Sequence, residues 1–284
     1  MDAGGLEFSC ALPPGPEFAG LAVLAEELGY ARVWVLDSAP LWEDSFVHLA
    51  FAAERTTRIE LGVALLVPAQ RSVMAMASAI ATTARVSGGR FRACFGSGFT
   101  ARVAMGCRPL TLRALSGYVT AVRQLLLGKL AIVDGVPVRM LHAAGPAESG
   151  PVDVPLWLSV VGTRGTALAG EIADGVIGSS HPALPAAVIV SGTVLEPGED
   201  PGSDLPSFEG RATHHVEHVQ LLLDHLEAET IVGDAKSAQH QLMRLAEPGF
   251  GEIIYTPTGP DVRRELCAFA AARPPAEPRR RNDA

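Results

Sequence analysis

Short apolar runs alternate with amphipathic helical segments along most of this chain, and this order restricts the possible folds more than any other feature. In the first repeat Phe18, Leu21 and Ala25 recur at helical spacing, Gly29 can end the helix in a left-handed conformation, and the apolar run 31–36 follows at once. The order recurs and predicts eight strands, at 6–12, 31–36, 59–67, 90–95, 156–161, 175–177, 187–195 and 252–255. Helices are predicted between them, at 18–28, 44–55, 73–85, 114–127 and 166–173.

The predicted strands are short and apolar throughout, as expected when a parallel sheet is covered by helices on both faces. Eight parallel strands close naturally into a barrel, so the predicted fold class is α/β with a (β/α)8 TIM barrel. A doubly wound open sheet is the competing architecture, and periodicity alone does not separate the two. The length of 284 residues suits one large domain, predicted over 1–273, and a disordered basic tail over 274–284.

Two segments interrupt the alternation. Residues 131–141 contain Asp134-Gly135 between two β-prone runs, which predicts a β-hairpin outside the barrel. Residues 196–210 are polar and rich in proline and glycine, which predicts a surface loop.

Charge and composition exclude several classes of partner. The net charge of −8 with basic residues clustered only at 279–281 disfavours nucleic acid. No apolar run approaches the ~20 residues that span a bilayer, so no membrane insertion is predicted. The four cysteines are widely scattered, as free thiols in a reducing compartment would be, and a cytoplasmic protein is expected.

Four strings taken in order resemble the luciferase-like monooxygenase superfamily of flavin and deazaflavin oxidoreductases. They are AEELGYARVWVLDS at 25–38, ERTTRIELGVALLVP at 54–68, ARVSGGRFRACFGSGF at 84–99 and LAGEIADGVI at 168–177, and the segment 230–272 resembles the closing strand and helix of such proteins. The resemblance implies a barrel that binds FMN or coenzyme F420 at the carboxyl ends of its strands, usually as a homodimer. The stretch after Leu195, which follows the seventh strand, is shorter than in similar proteins.

Three glycine-containing segments are the candidate cofactor-binding residues. The run Gly162-Thr163-Arg164-Gly165-Thr166 lies between a strand and a helix, where backbone N–H groups, two hydroxyls and a guanidinium can bind a phosphate. Gly96-Ser97-Gly98 follows another strand and allows close approach of a ring or phosphate. Gly62-Val63-Ala64 matches the place where relatives carry a bulge beneath the flavin ring. For each glycine segment, a tight turn without ligand is the alternative interpretation.

No catalytic residue is assigned, and the candidates are Asp37 and Ser38. Many deazaflavin-dependent relatives have Asp-His at the end of the second strand, and the serine here removes that proton carrier. Asp37 either holds a substrate or water, or caps the next turn. Trp42 and His48 lie nearby in sequence, although a histidine in an apolar helix is usually a packing residue.

The run 214–218 spells H-x-x-E-H, a spacing that can bind zinc on a helix. A solvated helix face explains the run without a metal, and no metal site is predicted. The expected function is therefore a flavin-type oxidoreductase that acts on a small organic substrate by hydride transfer or monooxygenation. The alternative is a catalytically degenerate barrel that serves as a binding or structural protein.

Overall fold

Eight parallel strands close into a barrel in the computed structural model, which describes residues 5–68, 70–143, 150–195, 230–246 and 249–274. The strands are β1 (Glu7–Leu12), β2 (Arg32–Val35), β3 (Glu60–Leu66), β4 (Phe91–Phe95), β5 (Ala131–Val133), β6 (Val136–Val138), β7 (Leu156–Ser159), β8 (Gly175–Ile177), β9 (Ala186–Leu195), β10 (Thr230–Asp234) and β11 (Glu252–Pro257). The barrel runs β1-β2-β3-β4-β7-β8-β9-β11 and closes where β11 pairs with β1. The predicted TIM barrel is confirmed, and the open sheet is wrong because this sheet has no gap.

Helices surround the barrel between successive strands. They are α1 (Phe18–Glu27), α2 (Ser45–Arg55), α3 (Val73–Val86), α4 (Phe99–Ala104), α5 (Leu112–Leu126), α6 (Gly162–Ile172), α7 (Ala235–Ala246) and α8 (Val262–Ala272). Asp44, Ser72, Thr111 and Asp261 each accept a backbone N–H bond at the start of a helix. The prediction for α6 is wrong at its start, since the helix begins four residues earlier and absorbs the expected phosphate loop into its first turn. The short helix α4 is absent from the sequence prediction.

The predicted hairpin is confirmed. Strands β5 and β6 pair antiparallel, with Val133 opposite Val136. Asp134 and Gly135 have φ values of 50° and 79°, the left-handed pair that a two-residue hairpin turn requires.

Strand β10 is an addition to the eight predicted strands. It pairs in parallel with the second half of β9, from Ser191 to Leu195, outside the closed barrel. The first half of β9 pairs with β8 and β11 inside the barrel. The predicted loop 196–210, the histidines of 214–218 and tail residues 275–284 lie outside the described residues.

The barrel interior is a compact cluster built around two tryptophans. Trp34 and Trp157 have ring centroids 6.0 Å apart. Each faces a glycine on a neighbouring strand: a Cβ on Gly62 would lie 2.4 Å from Trp34 Cε3, and a Cβ on Gly175 would lie 2.3 Å from Trp157 Cε2. The absence of side chains at these glycines therefore makes room for the indole rings.

An ionic network closes the amino-terminal end of the barrel. Arg32, whose side chain is 3% exposed, is paired with Glu252 and Glu60, and Arg92 Nε lies 2.6 Å from Glu60 Oε2. Burial alone would lower the pKa of Arg32, but the two carboxylates raise it. Trp34 Nε1 donates to Glu252 Oε1 at 3.1 Å. Charged groups thus fill this end, which leaves the carboxyl ends of the strands as the opening of the barrel.

Candidate active site

A bulge in β3 shapes the open end of the barrel. Pairing between β3 and β4 is regular through Ala64 and then shifts, so that Leu65 is the extra residue and Leu66 pairs with Phe95. The peptide bond between Ala64 and Leu65 is cis. The bulge expected at 62–64 therefore lies further along the strand. Gly62 stays within the regular ladder and pairs with Trp34 on β2. Its missing side chain makes room for the Trp34 ring.

The floor of the opening is apolar. Leu36, Leu65 and Ile189 are partly buried and pack on the interior cluster, which includes Ala64. Val63 points the other way and is fully buried in the outer core between strands and helices. Of the three predicted residues in β3, Ala64 alone lies both beside the bulge and toward the interior.

The loop after β4 lies directly against the bulge. Gly96 N donates to Leu66 O at 3.0 Å, and a Cβ on Gly96 would lie 2.8 Å from Leu65 Cδ1. Ser97 is partly buried, and its carbonyl accepts from Leu110 N at 2.8 Å. Gly98 has φ of 79° and precedes α4. The glycines at 96 and 98 therefore allow close packing of β4 on β3, and the structure brings this segment together with the floor.

Asp37 is held in an ion pair at the end of β2. Arg71 Nη1 lies 2.9 Å from Asp37 Oδ2, and Arg71 Nη2 donates to Asp37 Oδ1 at 3.3 Å. Ser45 Oγ donates to Asp37 Oδ1 at 2.8 Å. The side chain of Asp37 is only 3% exposed. This carboxylate is thus paired with the side chains of Arg71 and Ser45.

Ser38 follows Asp37, but its buried hydroxyl is not hydrogen-bonded within the described part of the chain. The residue is 7% exposed, and Ser38 Oγ has no hydrogen-bond partner among the described residues. Its carbonyl accepts from the backbone N–H groups of Leu41 and Trp42 at 2.8 and 2.9 Å. His48, on α2, has its Nε2 atom 2.6 Å from Oε2 of Glu43, an exposed carboxylate just before the helix.

The first turn of α6 contains the expected phosphate-binding residues. Gly162, Thr163 and Arg164 are exposed, and Gly162 has φ of 72°. Two others serve the helix itself: a Cβ on Gly165 would lie 2.9 Å from Val160 Cβ, and Thr166 Oγ1 donates to Gly162 O at 3.1 Å. Val161, the residue before the helix, provides no side-chain cap. The first-turn N–H groups are therefore left for an external acceptor.

A cleft of about 360 Å³ lies between α5 and α6, beside this turn. Arg113 and Ser116 line it from α5, and Arg164 and Glu171 line it from α6. Two guanidinium groups and one carboxylate therefore line the cleft, which leaves it with a net positive charge. The phosphate-binding prediction thus gains a second arginine that strand-to-helix spacing could not reveal.

The sequence analysis does not predict three residues near the open end of the barrel: Arg71, Gln70 and Tyr118. Tyr118 Oη donates to Arg71 O at 2.8 Å, and both amide atoms of Gln70 are buried without a partner in the described part of the chain. Burial raises the pKa of Tyr118 well above its usual value. An arginine after a strand is an ordinary surface residue by pattern, so only its proximity to Asp37, 34 positions away, marks it.

Two features are missing from the described ranges. No helix there is long and apolar enough to cross a membrane. No group of three or more histidine, cysteine or acidic side chains within those ranges could hold a metal ion.

Curated relatives match rather more than half of the chain. A reductase described as 5,10-methylenetetrahydromethanopterin reductase, from Methanolobus tindarius, is 34% identical over 185 residues, which are 63% of this chain and 54% of that protein. An F420-dependent glucose-6-phosphate dehydrogenase from Nakamurella multipartita is 31% identical over 181 residues, 58% of this chain and 53% of the relative. The chain thus spans about half the length of the curated relatives it matches.

Solved structures share the fold over nearly the whole chain. An F420-dependent secondary alcohol dehydrogenase bound to an F420-acetone adduct superposes with a TM-score of 0.74 at 17% identity, covering 95% of this chain and 100% of that one. The oxygenating constituent of 3,6-diketocamphane monooxygenase from Pseudomonas putida, in complex with FMN, gives 0.66 at 12% identity, covering 97% and 98%. At such identities the likeness shows the fold alone. A sequence model described as luciferase-like monooxygenase matches residues 7–190, and the chain therefore belongs to that family.

Proposed function

We propose that the chain is a flavin-type oxidoreductase that binds coenzyme F420 or FMN, in reduced form, at the open end of the barrel and acts on a small organic substrate. The observation that carries the proposal is the apolar floor of Leu36, Leu65 and Ile189 beneath that opening. A partly exposed apolar surface suits one face of a tricyclic ring. When bound, such a cofactor supplies the hydride or the activated oxygen.

The chain's residues fit the two ends of such a cofactor. At the ring end, Gly96 lets the β4 backbone approach the bulge. The negative charge of Asp37 is compensated by Arg71, so this ion pair presents no net charge to a neutral ring. At the phosphate end, the uncapped first turn of α6 offers N–H groups, with Thr163 and Arg164 exposed beside them. Arg113 across the cleft adds a second positive charge.

The names of the curated relatives support F420, and the FMN-bound structural neighbour supports FMN. Hydride transfer and monooxygenation both remain within the proposal, because both belong to the cofactor. The homodimer that the family resemblance implies remains a prediction as well.

A second candidate is a degenerate barrel that binds a ligand without turnover. It is favoured by one observation: Ser38 stands where many deazaflavin-dependent relatives have a histidine, while Asp37 is ion-paired. The described side chains around the opening therefore present neither an imidazole nor an unpaired carboxylate from the end of β2. A protein of this kind would bind the cofactor and leave it unreacted.

Titration of the full chain with F420 and with FMN, each oxidised and reduced, tests the proposal by fluorescence and calorimetry. We expect micromolar binding of one cofactor, weakened by Arg164→Ala about ten- to 150-fold, because a charge-assisted hydrogen bond contributes about 1.5–3 kcal/mol. Arg55→Ala, an exposed arginine in the last turn of α2, is the matched control and should bind normally.

Each outcome separates the candidates. Failure of the wild-type chain to bind either cofactor would overturn the proposed function. Binding that is followed by no reaction with any tested carbonyl or alcohol would favour the degenerate barrel. Equal affinities of Arg164→Ala and the wild type would place the phosphate away from α6.

A further inference from the structure

Arg71 lies where three structural elements meet at the open end of the barrel. Its guanidinium forms a two-pronged ion pair with Asp37 at the end of β2. Arg71 Nη2 also lies 2.7 Å from Asp44 Oδ2, on the residue that caps α2. Through its own backbone, Arg71 accepts the hydroxyl of Tyr118 from α5 at 2.8 Å.

The geometry of Arg71 is that of a fixed group. Its Cζ lies 5.0 Å from the centre of the Phe46 ring, and its side chain is 18% exposed. The acidic partners raise its pKa further, against the opposing effect of burial. A planar guanidinium that is paired on two sides and stacked on a third has little freedom, so it transmits position from one element to another.

The segment that Arg71 holds is the one that follows the β3 bulge. Arg71 comes six residues after Leu65, and Arg71 forms an isolated bridge with Pro68. In the same short stretch, both amide atoms of Gln70 are buried without a hydrogen-bond partner among the described residues, as is Ser38 Oγ just after β2. Unpaired buried polar groups cost free energy, so these side chains do not stabilise the two strand ends, whereas the ion pair of Arg71 with Asp37 joins them.

We propose that Arg71 is a positioning residue which, by clamping Asp37 and Asp44, fixes the β3 bulge and the end of β2 beneath the cofactor ring. Asp37 then acts only as half of the clamp and carries no proton in the reaction. The inference rests on the proposed function, because it presumes a cofactor on the floor at Leu65.

The test compares cofactor binding by four full-length variants: Arg71→Met, Arg71→Lys, Asp37→Asn and the double variant that combines Arg71→Met with Asp37→Asn. Arg123→Met is the control, because Arg123 Nη2 also bridges a carboxylate, Asp174 Oδ2, at 2.8 Å, but near the amino-terminal end of the barrel. The readouts are the dissociation constant, the absorption and fluorescence spectrum of the bound cofactor, and the urea midpoint of each apo-protein.

We expect Arg71→Met to weaken binding about tenfold or more and to shift the spectrum of the bound cofactor, because misplacement by about 1 Å is costly at a binding surface. Arg71→Lys should recover part of both effects, since it restores the charge without the fork. Arg123→Met should lower the urea midpoint yet leave the spectrum and affinity unchanged. The double variant should bind no worse than Arg71→Met.

Two results would overturn the inference. One is an Arg71→Met protein whose spectrum and affinity match those of Arg123→Met. The other is a further loss in the double variant, which would give Asp37 a role of its own. If the wild type binds neither cofactor, the proposed function fails first and takes this inference with it, so the two failures are distinguishable.

Discussion

Replacing Gly62 with alanine should destabilise the barrel through a single contact. The new Cβ would lie 2.4 Å from Trp34 Cε3 and 2.6 Å from Cζ3. Carbon atoms pack at about 3.5–4.0 Å, so the ring would have to move by about 1 Å. Trp34 is fully buried, and its indole N–H is bound to Glu252, so it has no free direction in which to move. We expect a cost of about 2–3 kcal/mol, as for other overpacked cores.

Urea unfolding followed by circular dichroism measures this cost. Gly117→Ala is the matched control, because Gly117 lies within α5 and a Cβ there meets no atom within 4 Å. Alanine should stabilise that exposed helical position by about 0.5–1 kcal/mol, opposite in sign to the effect at Gly62. In a Trp34→Phe background, Gly62→Ala should cost at least ~1 kcal/mol less, because the smaller ring leaves space.

Unfolding of Gly62→Ala at the same urea concentration as the wild type would contradict the proposed clash with Trp34. An unchanged cost of Gly62→Ala in the Trp34→Phe background would also contradict it, since the clash would then lie elsewhere. Normal stability combined with lost cofactor binding would restore the direct ligand contact that the sequence suggests for this glycine.

Two further predictions concern stability. Glu26 accepts three backbone N–H bonds from residues 57–59; desolvation raises its pKa, but these hydrogen bonds outweigh it and leave the pKa lowered. The stability that the Glu26 carboxylate contributes is present above its unfolded pKa and is lost as pH falls below roughly 4.3. In Glu26→Gln the free energy of unfolding should therefore fall less steeply below that pH. The same pH dependence in Glu26→Gln and the wild type would contradict this. Arg90 donates to four backbone carbonyls, three of them at 53–59 around the end of α2 and the fourth at Ser87 just after α3. Arg90→Met should cost about 2–3 kcal/mol in urea unfolding, and a loss below ~0.5 would refute the role.

The sequence by itself determined the order of strands and helices and much of their local geometry, whereas the choice of a closed barrel over an open sheet also needed the family resemblance. Each barrel strand is a short apolar run, and a window of about ten residues is enough to recognise it. The hairpin at Asp134-Gly135 and the cap at Asp44 follow from the conformations and hydrogen bonds available to those residue types. Such features are predictable because neighbours in sequence decide them.

The tertiary structure alone decided what the candidate site residues contact. Gly62 makes room for Trp34, 28 positions earlier, because β2 and β3 pair in that register. Asp37 meets Arg71 because the ends of those strands lie side by side. Neither contact leaves a trace in local periodicity, which reports backbone conformation and burial but not the identity of the neighbour across the sheet. The sequence therefore indicated where a cofactor would lie, and strand register determined which of those side chains remain available to it.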